Sequence, residues 1–486
     1  MIRRMIDSRD QTPLLVDLDG SLICTDSLHE TAMLLLKNKP WLIIHMVFWL
    51  MAGKQVLKGK LYRYTQLNVE ALPYREEVVA YLKEEHQKGR ELILCTGTWF
   101  KLAEKIAENL GVFSGVVATD EQVNLTGKYK AKYALDTYGD KGFDYLGNSS
   151  PDLHVWQYAK SAVVVGGESL AAKARKVCEV EKVITPSKLT LKVVLKAIRI
   201  HQWAKNGLLF VPLLMAHKID SLQSITDVIC AFIAFGLCAS STYLFNDLLD
   251  LEADRKHHTK CKRPLASGVL PIPEGIMLCA GLMLAGIVIA LTVNLHFIYV
   301  LAAYLFITVF YSFKLKKLQT VDVIVLASLF TIRVIAGGVA AGVELTFWLL
   351  SFSMFLFLSL AIVKRVSELI NTAKNQTAET TDKQILGRGY YQSDMEILQS
   401  LGGSAGFLAV LVMAFYINSD DVIQLYSHPQ VLWLICPVIG YWIMRIWMLT
   451  ARGQMNEDPI SFAIKDQNSW YAGAVLIVIL ITAGML

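Results

Sequence analysis

Charge is what this sequence has least of: 18% of its 486 residues are Asp, Glu, Lys or Arg, against about 25% in an ordinary soluble domain. Together with 54% hydrophobic residues, this shortage excludes a wholly soluble chain and predicts an integral membrane protein. Lys and Arg outnumber Asp and Glu only 47 to 42. That excess is too small to mark a nucleic-acid-binding surface, and no nucleic-acid partner is expected. The eight cysteines (24, 95, 178, 230, 238, 261, 279 and 436) lack CxxC or CxxH spacing, so neither a zinc site nor a disulfide framework is expected. The first residues, MIRRMIDSRDQTPLLVDLDG, lack the apolar run and cleavage site of a secretory signal, so the N-terminal part is expected to stay in the cytoplasm.

Residues 1–185 alternate short apolar runs with amphipathic charged stretches, which predicts a soluble α/β unit. PLLVDLDG, ELILCTGT, GVVATD, FDYLGNSS and SAVVVGG read as strands ending in turn residues, and parallel strands with helical crossovers follow. One stretch disturbs the pattern. PWLIIHMVFWLMAG, Pro40 to Gly53, is almost wholly apolar yet too short to cross about 30 Å of hydrocarbon. It reads as an interfacial or lid helix, with a plain buried helix as the alternative. A basic connector, centred on residues 186–198, leads into residues 199–486. There, nine apolar runs centre near residues 209, 233, 282, 304, 330, 354, 409, 440 and 478, each long enough for a spanning helix. Lys and Arg concentrate in the loops after the second, fourth, sixth and eighth runs, placing those loops in the cytoplasm beside the soluble unit.

VDLDGSL sets Asp17 and Asp19 directly after a strand, so that one carboxylate can attack while the other handles the proton. Thr96 in LILCTGT, Lys130 in GKYKAKYAL, and Asn148 and Asp152 in YLGNSSPD follow in order. This set resembles the haloacid dehalogenase (HAD) superfamily of phosphatases. The resemblance implies a Rossmannoid domain with a helical cap at about residues 24–88. It also implies Asp17 as nucleophile, Asp19 as general acid/base, Thr96 and Lys130 on the phosphoryl group, and Mg²⁺ held by Asp17, Asp19 and Asp152. Many relatives have Asp at the position of Asn148, which puts the metal site and the activity in question.

FNDLLDLEADRKHHTKCKRPLASG, Phe245 to Gly268, follows an apolar run. On a helix, Asn246, Asp247, Asp250 and Asp254 fall within an arc of about 100°. Carboxylates so placed call for a cation, and Mg²⁺ bridging to phosphate oxygens is the natural use, with Asp247, Asp250 and Asp254 as ligands. Arg255, Lys260, Lys262 and Arg263 can grip further phosphate oxygens. NDxxDxxxD followed by RPLASG resembles the first signature of the UbiA superfamily of membrane transferases, whose members are bundles of nine transmembrane helices. Aromatic prenyltransferases of that superfamily carry a second DxxxD. Here the stretch has Asp322 but Leu326, among Lys314, Lys316 and Arg333. With HQWAKN, KRVSEL and EDPISFAIKD, the pattern is similar to the decaprenyl-phosphate phosphoribosyltransferase branch.

That likeness implies transfer of phosphoribose from 5-phosphoribosyl diphosphate (PRPP) to a polyprenyl phosphate, with Asp250 at the reaction centre. Lys205, Asn246, Arg255, Lys262, Arg263, Tyr311, Lys316, Asp322, Arg333 and Lys364 are the expected substrate-binding residues. The HAD domain would then remove the 5-phosphate. The alternatives are an aromatic prenyltransferase and a tethered or regulatory HAD domain. The expected partners are PRPP, the lipid phosphate, the inner membrane and a second copy of the chain.

Overall fold

The structure, a computed structural model, describes residues 12–216, 218–375, 389–420, 422, 426–455 and 458–485. The basic N-terminus up to residue 11 and much of the polar loop after residue 373 lie outside these residues. Two compact units are present: Met1–Ile198 with Leu244–Leu278, and Arg199–Tyr243 with Cys279–Leu486.

The first unit is built on six parallel strands: β1 (Leu14–Val16), β2 (Leu92–Trp99), β3 (Gly115–Thr119), β4 (Asp144–Gly147), β5 (Ser161–Val165) and β6 (Glu179–Ile184). Their order in the sheet is β3-β2-β1-β4-β5-β6. The strand period of two divides each central strand between two cores. Leu14, Val16, Leu92, Leu94 and Leu146 join one, while Leu15, Ile93, Cys95 and Tyr145 join the other. Burial on both faces is why these strands read as unbroken apolar runs. β6 is different. Its EVEKVI run leaves Glu and Lys exposed, half-buries the two valines and buries Ile184, as suits an edge strand, and in the sequence it merges with the basic connector.

Four helices separate β1 from β2: α1 (Ser27–Asn38), α2 (Ile43–Met51), α3 (Lys54–Tyr64) and α4 (Glu76–Gln87). Asp26 caps α1 by accepting the Leu28 amide proton at 2.8 Å, and Pro40 begins a new turn just past its end, where proline cannot extend a helix. Val78, Tyr81 and Leu82 of α4 belong to the sheet core, which leaves α1 to α3 as the cap. Two further helices of this unit matter below: α5 (Phe100–Leu110) and α6 (Lys128–Tyr138).

Among the described residues eight helices are long and apolar enough to cross a membrane: Leu222–Leu249, Ile272–Val293, Leu295–Phe313, Val321–Ala341, Phe347–Ala373, Gln392–Ile417, Pro429–Ala451 and Gln467–Gly484. The chain is a multi-pass membrane protein. The ninth expected span, near residue 209, takes another form: a 3-10 helix, Ile200–Phe210, followed by a short α-helix, Val211–Met215. Lys205 and Asn206 are buried in it, and Pro212 removes a backbone donor. At about 2.0 Å per residue for the first piece and about 1.5 Å for the second, the pair extends about 30 Å, still a bilayer's thickness of hydrocarbon. A Cβ at Gly337, on Val321–Ala341, would collide with the backbone of Leu209. That glycine lets the two segments touch main chain to main chain, as small residues do between membrane helices.

Candidate active sites

In the first unit, the loops at the C-terminal edge of the sheet carry the polar groups, as this architecture dictates. The chain must turn sharply after β1, and Gly20 does so with φ near +75°, where a Cβ would strike Asn148. Asp17 is buried between Lys130 Nζ, which donates to Oδ1 at 2.7 Å, and the Ser21 hydroxyl, which donates to Oδ2 at 2.9 Å. Lys128 and Lys132 are exposed; of the three lysines in that run, Lys130 is the one at Asp17. Asp19 accepts from the Ser27 amide at 2.7 Å and from the Thr98 hydroxyl at 2.8 Å. Burial, with the nearby Asp26 charge, pushes the Asp19 carboxyl up to about 7. Burial also raises Asp17, with the Lys130 charge opposing it.

Thr96 is fully buried and sits 3.2 Å from the Thr98 hydroxyl. Thr98 is therefore the hydroxyl at Asp19, and it stands in the same CTGT run. Asp152, an expected metal ligand, lines the same cavity and is also bonded to its own loop. Its carboxylate accepts from the amides of Asn148 and Ser149, from the Ser149 hydroxyl and, at 2.9 Å, from the Tyr145 hydroxyl. Three of these donors meet Oδ2 and hold the loop in shape, and Tyr145 alone meets Oδ1. The oxygens that do converge are those of Asp17 and Asn148, 2.9 and 3.2 Å from one Ser21 hydroxyl. One carboxylate, one amide oxygen, water and substrate oxygens make a donor set acceptable to Mg²⁺.

A cavity of about 480 Å³ opens over these residues. The cap contributes Leu50, Lys54, Lys58 and Tyr62 to its wall. Lys58 Nζ donates to Asn124 Oδ1 at 2.9 Å, and burial lowers its pKa, with Asp19 and Asp26 opposing.

The segment Leu244–Leu278 holds the second cluster. Helix Leu222–Leu249 ends as Asp250 leaves helical geometry, and a short helix, Leu251–Lys256, resumes the direction. Asp247 and Asp254 meet at one guanidinium, with Arg263 Nη1 3.0 and 2.5 Å from their oxygens. A cation already sits where the two carboxylates converge, so the chemistry of the pair fits a metal ion. Among the described residues, however, no three His, Cys, Asp or Glu side chains are grouped to hold one.

Asp250 is turned elsewhere and accepts from Lys37 of α1 at 2.8 Å. Arg255 is likewise committed, its guanidinium pairing with both oxygens of Glu30 at 2.6 and 3.0 Å and its Nε donating to the Ala266 carbonyl. Lys262 is exposed, and its carbonyl accepts from Lys196 at 3.0 Å. Asn246 is half-buried on the last turn of its helix.

The second unit has its own charged cluster. Asp322 is fully buried and accepts from the Tyr311 hydroxyl at 2.7 Å and from Arg365, which is equally buried and also bonds Glu368. Arg333 lies among the rings of Tyr304, Phe235 and Phe330, and donates to Asn206 Oδ1 at 3.1 Å and to the Tyr304 hydroxyl at 3.0 Å. Lys205 and Lys364 share one acid, Asp458, at 3.1 and 3.6 Å. Burial acts to raise the Asp458 carboxyl, yet the two ammonium charges hold it below the usual range. Lys316 is half-buried in the turn Leu315–Lys317. Arg365 and Asp458 were not singled out from the sequence, although KRVSEL and EDPISFAIKD contain them.

The same unit holds an apolar cavity of about 710 Å³. Ala204, Gly207, Leu360 and Ile460, close in sequence to the two lysines and Asp458, line it along with Phe352, Trp442 and others.

Comparison with known proteins finds relatives of both regions. The UbiA prenyltransferase family matches residues 208–371, and the haloacid dehalogenase-like hydrolases match residues 14–137. The uncharacterized protein y4nM of Sinorhizobium fredii is 35% identical over 467 residues, 96% of this chain and 89% of that protein. Nodulation protein NoeC of Azorhizobium caulinodans is 33% identical over 283 residues, 58% of this chain and 90% of that one. A decaprenyl-phosphate phosphoribosyltransferase of Mycolicibacterium smegmatis is 31% identical over 296 residues, 60% of this chain and 91% of that enzyme. The similarity to y4nM runs through both regions, so the fusion is a shared feature. The chain belongs to the UbiA prenyltransferase family and carries a haloacid dehalogenase-like domain ahead of its membrane region.

Proposed function

We propose that the chain transfers 5-phosphoribose from PRPP to a polyprenyl phosphate and then removes the 5-phosphate from the lipid-linked product. The observation that carries the first step is the pairing of Lys205 and Lys364 with a single acid, on segments whose neighbouring residues line the 710 Å³ apolar cavity. A cation pair with one counter-charge, in a unit that also holds a large apolar cavity, suits a phosphate monoester on a hydrocarbon tail. A second metal-bound diphosphate is disfavoured by Asp322, whose carboxylate is taken by Arg365 and Tyr311.

In the transfer, an oxygen of the lipid phosphate attacks the anomeric carbon, the bond to pyrophosphate breaks, and pyrophosphate leaves with both electrons. No protein nucleophile is needed. The residues position the donor and neutralise charge around an oxocarbenium-like transition state, with Arg263, Lys262 and Lys316 assigned to phosphate oxygens. Bound Mg²⁺, held by Asp247 and Asp254 here and by Asp17 and Asn148 in the phosphatase, would screen phosphate charge.

In the dephosphorylation, an Asp17 oxygen attacks phosphorus while the protonated Asp19 gives its proton to the departing 5-oxygen. Asp19, now ionised, takes a proton from water as that water attacks the aspartyl-phosphate. Inorganic phosphate leaves and Asp17 is restored. Both sites are assigned to the cytoplasmic face, on the loop-charge asymmetry.

The test supplies purified protein with Mg²⁺, polyprenyl phosphate and ribose-labelled PRPP. Label entering the lipid fraction supports the reading. No incorporation, with prenyl transfer from polyprenyl diphosphate to an aromatic acid instead, overturns it.

A further inference from the structure

Helix α2 and the 3-10 turn before it, Pro40–Leu42, have no buried residue. Their inner face is nevertheless used: Leu42, Met46 and Trp49 pack on Leu35, Leu57 and Leu61. The outer face is apolar as well, with Trp41, Ile44, Val47, Phe48 and Met51 exposed, Ile44 and Phe48 at 64% and 62%. A helix apolar on both faces needs an apolar medium on the side the protein leaves open.

Three observations in the same unit say which medium. First, α1 is tied at two points to the segment where a membrane span ends: Glu30 pairs with Arg255, and Lys37 with Asp250, the residue directly after the span Leu222–Leu249. The apolar turn begins three residues after Lys37, close in sequence to the residue paired with the end of that span. Second, residues 37–64 contain no acid, and besides the committed Lys37 and Lys58 the basic residues Lys39, Lys54, Lys60 and Arg63 flank the apolar run in sequence. Third, Leu50 of the same helix lines the cavity over Asp17 and Asp19. A basic rim around an apolar face matches an anionic bilayer surface.

We propose that Pro40–Met51 lies in the membrane interface, its outer face among the acyl chains, and holds the mouth of the phosphatase cavity at the level of lipid headgroups. A phosphomonoester carried on a lipid then reaches Asp17 without its tail leaving the bilayer. The inference concerns the helix alone and stands apart from the transfer reaction.

The test uses photo-crosslinking of the full-length protein in vesicles of equal parts phosphatidylcholine and head-group-labelled phosphatidylglycerol. p-Benzoylphenylalanine replaces Phe48. The same residue at Leu284, 66% exposed on a spanning helix, gives the positive reference. At Gln87, exposed at the opposite edge of the sheet, it gives the negative one. The expected lipid adduct at 48 is at least about tenfold above that at 87 and within a few-fold of that at 284. An adduct yield at 48 no higher than at 87, or adducts at 48 that join two protein chains, would overturn the proposal. Because the readout is an adduct, it is the same whether or not either active site turns over.

Discussion

Asp19 has an environment suited to a proton donor rather than a simple counter-ion. With its carboxyl raised to about 7 by burial, the acid form persists far above the usual carboxylate range and is lost as pH rises through about 7. Phosphatase kcat/KM should therefore fall on the alkaline side with an apparent pKa near 7. Asp19→Asn should remove that limb and lower the rate by about 10² to 10⁴, as pH profiles on a soluble phosphomonoester will reveal. The Arg365–Asp322 pair calls for a different test. Both charges are fully buried, so Arg365→Met should cost about 3–5 kcal/mol by leaving an uncompensated carboxylate, and adding Asp322→Asn should restore part of it. Thermal unfolding in detergent measures both variants. That pair also marks a limit of reading from sequence: Asp322 was legible as an isolated acid, but its partner lies 43 positions away. Nothing in residue type separates Arg365 from Lys364 beside it. Thr98 escapes a reading by residue type for a simpler reason: two threonines two apart in one strand share a face and bond each other, and only the structure says which of them reaches Asp19.

At the level of elements, the strands most legible in the sequence are the central ones, buried on both faces, because burial demands continuous apolar residues; β3 is a half-buried edge strand that still keeps an apolar run. β6 escaped because an edge strand alternates Glu and Lys with Val, and the same letters compose a charged linker. The segment near residue 209 was legible as a span by its apolar content, while its 3-10 form follows from contacts that sequence does not display. Gly337 is the contact that matters. Gly337→Ala should force Val321–Ala341 away from the backbone of Leu209, at a cost of about 1–3 kcal/mol for overpacking. Lys205 and Asn206 stand on the displaced segment, so kcat/KM for the lipid acceptor should fall more than the affinity for PRPP. Steady-state kinetics with each substrate varied will separate the two.

Taken whole, the molecule joins a membrane transferase fold to a phosphatase fold on one chain, and the family match to both halves makes that union its defining feature. Under the proposed sequence of reactions, a product released by one site would meet the other at raised effective concentration, since a tethered encounter replaces a search through dilute lipid. Asp17→Asn should consequently leave transfer intact and cause the 5-phosphorylated lipid to accumulate. One measurement tests this sequence of reactions most directly: PRPP labelled separately in the ribose carbons and in the 5-phosphate, given with polyprenyl phosphate to the intact protein. The account predicts ribose label in the lipid fraction with the 5-phosphate label released as inorganic phosphate, and both labels retained on the lipid in Asp17→Asn. Equal retention of the 5-phosphate label on the lipid in both proteins would contradict it.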